Sequence, residues 1–480
     1  MKSTNKSIPL LCLMLFLLFL LFCSSSSEVL SSNVNNPIMI EAKELSGNLS
    51  DYPVYTEKWF SKAMDVTRKI RNIDFVKDLY FFSIKRKDIS SVLSEDTYYK
   101  TNLEVLEAFY KQMGYLDKNQ KLNDIMNEET NYDSIAGFYR IGTNTFAIVE
   151  DVKLNNNPYE PIRFKDVVIV HELTHALQDM NYNLNFLALD TVKNTDSLMA
   201  FKAALEGDAT LVQYLFYINE NREFSSLDED GKKNLLRRIS DRFSSFGYGS
   251  TIKSDIPDYW VKGTNFVYLH GAAFITQLYL AGGFELINTL YEERFPVSSE
   301  QIMHPIKYIN NDTPVNIDIP DFTETFNTNS NQDEWELVYE DTIGEYNLYI
   351  LIEKYLSYKG LNYANEVAEG WGGDKLVFYM NKKRNKQFLI WANSFDTIKD
   401  ADEFYNAYIS LLNEKDSDDN LSLDEYKKTY AKWTDSNNNI YYIYKNDKSV
   451  NILENIPDTF FDNVLTALQK ENSENNKENP

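Results

Sequence analysis

The chain of 480 residues is longer than a usual single hydrophobic core, and its length favours two domains. Its formal net charge of −24 argues against a protein that binds nucleic acid or anionic lipid through a basic face. The only cysteines, Cys12 and Cys23, lie near the amino terminus, so the rest of the chain can form neither a disulfide nor a thiolate metal site.

An export signal is predicted over residues 1–23. Two lysines precede an apolar run over residues 8–22, which is too short to span a bilayer comfortably. Cys23 and a run of serines follow, a pattern that resembles bacterial lipoprotein signals. Phe22 departs from the small residue usual at that position, so cleavage among the serines is the alternative. We expect an exported protein that is anchored through Cys23 or otherwise secreted, with a flexible tether over residues 24–52.

Short strands and helices are predicted in the region after the tether. The patterns indicate a strand over residues 79–84, a helix over 103–113 and a β-hairpin, with strands over 134–140 and 145–152. The hairpin turn is placed at the Gly142-Thr143-Asn144 sequence, because these residues favour tight turns.

The sequence His171-Glu172-Leu173-Thr174-His175 contains two of the four histidines of the chain. In a helix these two residues share one face, with Cβ atoms ~6 Å apart, so both rings can bind one zinc ion at ~2.1 Å. Glu172 can hold a water beside that ion and take its proton. The apolar flanks predict a buried helix from about Asp166 to Met180, in which histidines need partners. A helix with two surface histidines is the alternative.

Glu206 is the predicted third ligand. It lies in an apolar helix that begins at Asp196 or Ser197, where a charged group needs a metal or an ion-pair partner. Asp208 lies ~200° around that helix from Glu206 and cannot share its face. Gly207 costs the helix ~1 kcal/mol relative to Ala, and we expect it to permit close approach of a neighbouring helix. Two imidazoles and one carboxylate leave zinc an open position, as hydrolysis requires.

A linker is predicted over residues 311–333, which are rich in Asn, Asp, Thr and Pro. A smaller α+β domain over residues 334–470 is expected to follow as a docking or stabilising module, with a disordered tail over 471–480. The glycine-rich segment 370–374 is interpreted as a turn that packs against the catalytic domain. Helices are predicted over residues 343–356, 401–412 and 460–468, and strands over 375–379, 388–393, 441–444 and 450–453.

The HELTHA sequence and a glutamate on a later helix resemble the metal site of thermolysin-like gluzincins. In those enzymes an aspartate four residues after the ligand glutamate orients a histidine, but Thr210 occupies that position here. Asp208 and Asp179 are the alternatives for that role. The resemblance also implies a tyrosine or histidine that donates to the oxyanion of the tetrahedral intermediate, a contribution of ~3 kcal/mol.

Longer motifs resemble a broad family of mostly exported prokaryotic proteins described as HExxH metallopeptidases. The resemblance covers residues from about 70 to 412 and supports the metal site without naming a substrate. It implies Tyr268 and His304 as candidate oxyanion donors, ahead of Tyr308 and His270. The motifs, in chain order, are AGFY at 136–139, HELTHALQD at 171–179, ALEGDA at 204–209, YxxG at 268–271, SSEQxxHP at 298–305 and GWGGD at 370–374.

The strand over residues 145–152 resembles the edge strand on which zincins bind an extended substrate. Backbone pairing at such an edge favours a protein or peptide substrate over a sugar or lipid. An ordinary hairpin is the alternative.

Together these observations predict an α+β protein with a zincin-like catalytic domain over residues 53–310. The predicted function is that of an exported zinc metallopeptidase in which His171, His175 and Glu206 bind Zn²⁺. Glu172 would activate water and protonate the leaving amine, with Tyr268 or His304 as the oxyanion donor. A non-peptidase zinc hydrolase of the cell envelope and a surface binding protein stapled by zinc are the alternatives.

Overall fold

The computed structural model describes residues 57–93, 103–127, 137–149, 164–220, 224, 226–246, 257–329, 334–360, 362–415 and 421–478. The predicted signal, Cys23 and the predicted tether over 24–52 lie outside these residues. Within them, no helix combines the length and the apolar character needed to cross a membrane.

The fold combines α-helices with two β-sheets, which confirms the α+β prediction. The helices before the second sheet are α1 (Glu57–Arg71), α2 (Arg86–Leu93), α3 (Leu103–Met113), α4 (Leu122–Asn127), α5 (Phe164–Tyr182), α6 (Leu184–Thr191), α7 (Thr195–Glu220), α8 (Glu229–Phe246), α9 (Asp258–Asn265), α10 (Gly271–Glu292), α11 (Ser299–Met303), α12 (Pro305–Ile309) and α13 (Thr323–Asn329). A π-helical turn, Phe266–His270, joins α9 to α10.

The first sheet has three strands in the order β1-β3-β2, namely β1 (Tyr80–Ile84), β2 (Gly137–Arg140) and β3 (Thr145–Val149). The predicted first strand is confirmed, as is the antiparallel hairpin over the residues that the structure describes. Strand β1 pairs with β3 in parallel, so β3 is the central strand and the edge-strand prediction for it is wrong. Strand periodicity cannot reveal that a distant strand covers one edge, and among the described residues β1 and β2 are the edge strands instead.

Helices α5 and α7 are buried along most of their length, because apolar residues occupy every face. Helix α5 begins at Phe164, two residues before the predicted start at about Asp166. A Cβ atom on Gly207 would lie 2.2 Å from the carbonyl oxygen of Gly271 at the start of α10. The predicted close approach of a neighbouring helix at Gly207 is therefore confirmed, and it brings the π-helical turn beside Glu206.

The remaining elements are β4 (Trp335–Asp341), α14 (Gly344–Leu356), α15 (Tyr363–Ala368), β5 (Trp371–Asn381), β6 (Gln387–Phe395), α16 (Ile398–Lys415), β7 (Ser422–Tyr426), β8 (Tyr430–Thr434), β9 (Asn439–Asn446), β10 (Ser449–Pro457) and α17 (Asp458–Glu478). The second sheet has seven antiparallel strands in the order β4-β5-β6-β10-β9-β8-β7. Helices α14 and α16 cover one face, and α13 and α17 cover the other. Strands β4, β7 and β8 were not predicted. In β7 every residue is exposed, so the strand shows no alternation of buried and exposed positions.

The predicted linker contributes to the core of the second sheet. Phe326 on α13 is fully buried, with its ring centroid 4.4 Å from Phe460 and 5.3 Å from Phe388. The polar composition of residues 311–333 concealed these apolar contacts. The predicted disorder over 471–480 also differs from the structure, since α17 continues to Glu478.

The prediction of a turn at residues 370–374 is wrong, because Trp371 begins β5. A β-bulge between Trp371 and Gly373 accommodates the glycines. Asp374 accepts hydrogen bonds from the backbone nitrogens of Ile343 and Gly344, at 2.8 and 2.9 Å, and so caps the start of α14. The segment thus holds α14, which packs on the second sheet, in place.

Helix α3 links the two parts of the chain. Its Phe109 packs against Tyr339 and Phe378 of the second sheet, with ring centroids 4.6 and 5.8 Å apart. Just after α3, the Tyr115 hydroxyl donates to the Asn347 carbonyl oxygen at 3.1 Å. One hydrophobic core therefore extends from the helices around α5 into the second sheet.

Candidate metal centre

Three possible metal-ligand atoms converge where α5 meets α7. His171 Nε2 and His175 Nε2 lie 3.0 and 3.3 Å from Glu206 Oε2. The two ring nitrogens are 3.2 Å apart, and the three atoms all lie within 4.8 Å of one another. The histidines are one turn apart on α5, and Glu206 faces them from α7. Two imidazoles and a carboxylate are a donor set that suits zinc.

A glutamine orients each histidine ring. His175 Nδ1 lies 2.8 Å from Gln178 Oε1, and His171 Nδ1 lies 3.0 Å from Gln213 Oε1. Because an amide oxygen only accepts, each ring keeps a proton on Nδ1, which leaves Nε2 as the nitrogen that can bind a metal once it has lost its own proton. Sequence reasoning missed both glutamines. Their spacing could have identified them, since they lie three residues after His175 and seven after Glu206 on the same helix faces.

The predicted role for Asp208 is indirect. Gln178 Nε2 donates to Asp208 Oδ2 at 3.1 Å and to the Leu205 carbonyl oxygen at 3.0 Å. Asp208 therefore orients His175 through Gln178. Thr210, at the position where gluzincins place an aspartate, is buried on α7, and Gln213 three residues later contacts the histidine instead.

A buried ion pair supports Asp208. The side chains of Arg71 and Asp208 are both 0% exposed, and Arg71 Nε lies 3.0 Å from Asp208 Oδ2. Tyr291 donates its hydroxyl proton to the same oxygen at 2.9 Å, and Arg71 Nη1 donates to Asn288 Oδ1 at 2.8 Å. Helices α1, α7 and α10 are thereby tied to the ring of His175 through one polar network.

The charges in the cluster are strongly coupled. Burial lowers the pKa of His175, but the nearby Glu206 carboxylate outweighs burial and raises this pKa to about 9. Burial in turn raises the pKa of Glu206, and the two histidines overcome it and hold that pKa well below its ordinary value. Burial also raises the pKa of Glu172, although both histidines oppose this shift. The cluster therefore carries a negative carboxylate whose charge favours a cation between the rings.

The β-hairpin is fastened to α5 by two carboxylates. Glu172 Oε2 accepts a hydrogen bond from the backbone nitrogen of Tyr139 at 2.9 Å. Asp179 Oδ2 accepts from the Tyr139 hydroxyl at 2.8 Å and from the Gly142 nitrogen at 2.7 Å. Asp179 thus positions strand β2 and the hairpin turn rather than a histidine. The edge strand is consequently held beside Glu172.

Tyr268 lies on the π-helical turn beside the cluster. Its ring centroid is 6.4 Å from that of His171. Burial, followed by the charges of Glu206 and Glu172, raises the pKa of Tyr268 well above its ordinary value, so the phenol keeps its proton. The hydroxyl is buried and forms no hydrogen bond within 3.5 Å among the described residues, although it interacts with the nearby Glu206 carboxylate. A phenol donor therefore lies beside the cluster, and π-helical turns recur at functional sites.

The structure does not bring His304 into this cluster. His304 lies at the junction of α11 and α12, where its Nε2 is 2.8 Å from Glu345 Oε1. Burial lowers the pKa of His304, but Glu345 outweighs burial and raises it. The ring therefore binds the start of α14, and an oxyanion role for His304 has no geometric support.

His270 and Tyr308, the two weaker candidates for the oxyanion donor, make packing contacts in the core instead. His270 stacks on Phe266 with ring centroids 5.3 Å apart, and burial lowers its pKa to about 3, so it stays neutral. The Tyr308 hydroxyl donates to the Arg294 carbonyl oxygen at 2.8 Å, and the Arg294 guanidinium lies over the Tyr308 ring. Both side chains serve packing in the core.

Comparison with known proteins bears on the second sheet and not on the metal centre. No curated protein and no solved structure matches the chain. Residues 336–465 match a family described as a domain of unknown function, DUF8575. The match begins in β4 and ends in α17, so this part of the chain is similar to a family without an assigned function.

Proposed function

We propose that the protein is a zinc-dependent metallopeptidase with a zincin-like catalytic domain. The observation that carries this proposal is the convergence of His171 Nε2, His175 Nε2 and Glu206 Oε2 on one point. Glu172, the neighbour of a ligand on α5, is 1% exposed and held by strand β2. This combination of metal ligands and an adjacent carboxylate has the chemistry of metal-assisted hydrolysis.

Each residue then has a separate task. Zinc, when bound, would lower the pKa of a water molecule and polarise the scissile carbonyl group. Glu172 accepts the proton from the attacking water and delivers it to the leaving amine. Tyr268 donates its phenol proton in a hydrogen bond to the oxyanion that forms on the carbonyl. Gln178 and Gln213 keep the two imidazoles in the correct tautomer.

A peptide is the preferred substrate because an edge strand borders the proposed site. The Tyr139 nitrogen points away from β3 and toward Glu172. In an antiparallel pair the backbone groups alternate in direction, so Gly137 faces the same side as Tyr139. An extended chain beside β2 could therefore use backbone hydrogen bonds, which sugars and lipids cannot match.

The first prediction concerns metal and cleavage. The purified chain should hold about one zinc ion and cut members of a peptide library, and His175→Ala should lose both properties, because two ligands bind zinc weakly. Metal analysis and mass spectrometry of the library would test this. Stoichiometric zinc without cleavage of any peptide would favour a structural zinc staple. Zinc-dependent cleavage of esters or non-peptide amides alone would favour the alternative of a non-peptidase zinc hydrolase of the cell envelope.

The second prediction concerns Tyr268. Tyr268→Phe should lower kcat by ~10²-fold or more, with KM and zinc content nearly unchanged, because it removes one donor to the transition state. His304→Ala is the control from the same set of candidates and should retain kcat. Full kcat in Tyr268→Phe would assign the oxyanion donor elsewhere. Release of zinc by His304→Ala would contradict the three-ligand site.

The third prediction concerns location, for which we propose export and attachment to the cell envelope through Cys23. Cys23→Ser should convert a membrane-associated protein into an unprocessed or soluble form, because a lipid is the expected membrane contact. Cell fractionation followed by detection of the chain would test this. Unchanged fractionation would rule out lipidation and favour plain secretion.

A further inference from the structure

A cavity lies apart from the proposed metal ligands. It has a volume of about 830 Å³ and is bordered by α6, the carboxyl end of α10 and residues 313–318. None of the residues that line it belongs to the metal cluster. A cavity of this size is far larger than one metal ion needs and is in the range that accepts an organic ligand or a few residues of a peptide.

One wall of the cavity is the segment over residues 313–318, which belongs to no helix or strand. Within the part of the chain that the structure describes, its only backbone hydrogen bond runs from the Val315 nitrogen to the Gly372 carbonyl oxygen, at 2.8 Å. A Cβ atom on Gly373 would lie 2.5 Å from the Val315 carbonyl oxygen, so glycine at this position permits the contact. The segment therefore leaves backbone donors and acceptors free for an extended partner chain.

The cavity is strongly acidic. Its lining contains eight carboxylate side chains and three basic ones. The basic groups are already engaged: Lys375 pairs with Glu340 at 2.8 Å, Lys193 donates to the Leu189 carbonyl oxygen, and Arg294 donates to the Tyr308 carbonyl oxygen. Besides Glu340, the exposed carboxylates on its walls are Asp190, Glu292, Glu293 and Asp318. A cationic ligand would compensate this charge.

One oxygen of a buried carboxyl group in the lining lacks a partner. Asp196 is 1% exposed, and its Oδ1 accepts a hydrogen bond from the Ser299 nitrogen at 2.9 Å. Its Oδ2 is buried and has no hydrogen-bond partner among the described residues. Burial raises the pKa of Asp196 well above its ordinary value and so favours its protonated form, and the oxygen without a partner offers a position for an external hydrogen-bonding group rather than for a cation.

Aromatic and apolar side chains complete the lining. Tyr182 and Tyr291 stack with ring centroids 4.4 Å apart. Phe186 is 68% exposed and Val315 is 54% exposed, so both present apolar surface to an incoming ligand. Lysine and arginine side chains fit such a surface, because their apolar stems pack on it while the cation binds a carboxylate or an aromatic ring.

We propose that this cavity binds an extended peptide segment in which lysine or arginine alternates with apolar residues. The backbone of residues 313–318 pairs with the peptide, the carboxylates bind its basic side chains, and Phe186 and Val315 contact its apolar ones. Binding at this site does not depend on the proposed peptidase activity. Tyr182 and Tyr291 also belong to the polar network of Asn288 and Asp208, so the cavity adjoins the support of His175.

Fluorescence anisotropy with a labelled peptide of alternating lysine and leucine tests this proposal. Full-length chain carrying Glu172→Gln is used throughout, so that the peptide stays intact. The combined change Asp190→Asn, Glu293→Gln and Asp318→Asn removes one carboxylate from each wall and should weaken binding by ~10-fold or more. The control change Asp124→Asn, Glu220→Gln and Glu229→Gln removes the same charge from exposed positions outside the cavity and should leave affinity within ~2-fold.

Further variants and ligands separate the cavity from general charge attraction. Phe186→Ser should weaken binding of the peptide without changing the net charge of the chain, since it removes an exposed apolar contact. A peptide of alternating glutamate and leucine should not bind. Absence of binding, equal loss in the control variant, or equal binding of the acidic peptide would each overturn the proposal. The proposal would also be overturned if the cavity bound calcium ions but no peptide, and if the Asp190, Glu293 and Asp318 changes abolished that calcium binding.

Discussion

Replacement of Glu172 by glutamine should abolish most peptide cleavage while one zinc ion per chain remains bound. The amide cannot accept a proton from the attacking water, so kcat should fall by ~10³-fold. Its shape is nearly unchanged, and its oxygen can still accept the Tyr139 backbone hydrogen bond, so the hairpin should keep its place. Turnover with a cleavable peptide and metal analysis of the same preparation would measure both properties.

Glu206→Gln should have the opposite signature. It removes the negative ligand that lies 3.0 Å from His171 Nε2 and 3.3 Å from His175 Nε2, so zinc itself should bind more weakly. Glu220→Gln, at the exposed end of the same helix, is the matched control and should affect neither zinc nor turnover. Normal turnover in Glu172→Gln, or unchanged zinc affinity in Glu206→Gln, would reverse the assigned roles.

Arg71→Met should lower the free energy of unfolding by ~3–5 kcal/mol, because it leaves the Asp208 carboxylate buried without its cation. Asp208→Leu should be similarly destabilising, since it leaves the Arg71 guanidinium buried without its carboxylate. The double variant should lose less stability than the sum of the two single variants, because neither unpaired charge remains. Denaturant unfolding of the zinc-free proteins would give these values.

The same variants should weaken zinc binding by ~10–100-fold, because Asp208 positions Gln178 and Gln178 orients His175. Arg68→Met is the control from the same helix. Its partners Asp65 and Asp74 are exposed, so its loss should affect stability and zinc affinity little. An equal effect of Arg68→Met and Arg71→Met, or strict additivity in the double variant, would contradict a buried pair that acts on the metal centre.

The local sequence was sufficient to predict that His171, His175 and Glu206 lie together as a candidate metal site. Two histidines four residues apart in an apolar segment must share one face of a buried helix, and that face needs a partner. A glutamate inside a second apolar helix has the same need, and the structure brings Glu206 to His171 and His175. The approach of a helix at Gly207 was also predictable, since a buried helix accepts glycine where another backbone passes closely.

The supporting residues were less visible in the sequence. Gln178 and Gln213 stand at helical spacing from their ligands, but glutamine is common on helices and its amide could face elsewhere. Arg71 and Asp208 are far apart in the chain, and only the packing of α1 against α7 makes them a pair. His304 shares a motif with residues that the structure places elsewhere, and its ring turns to Glu345.

Strand order and core membership were decided by the tertiary structure alone. Strand periodicity specifies which side chains share a face, and it carries no information on which strand lies beside another. The pairing of β1 with the edge of β3 was therefore not predictable from the sequence. Composition describes average solubility, and a few apolar side chains such as Phe326 are enough to draw a polar segment into a core. Short-range spacing therefore determined the chemistry of the candidate ligands, whereas contacts between distant segments decided which strand, which carboxylate and which tyrosine stand beside them.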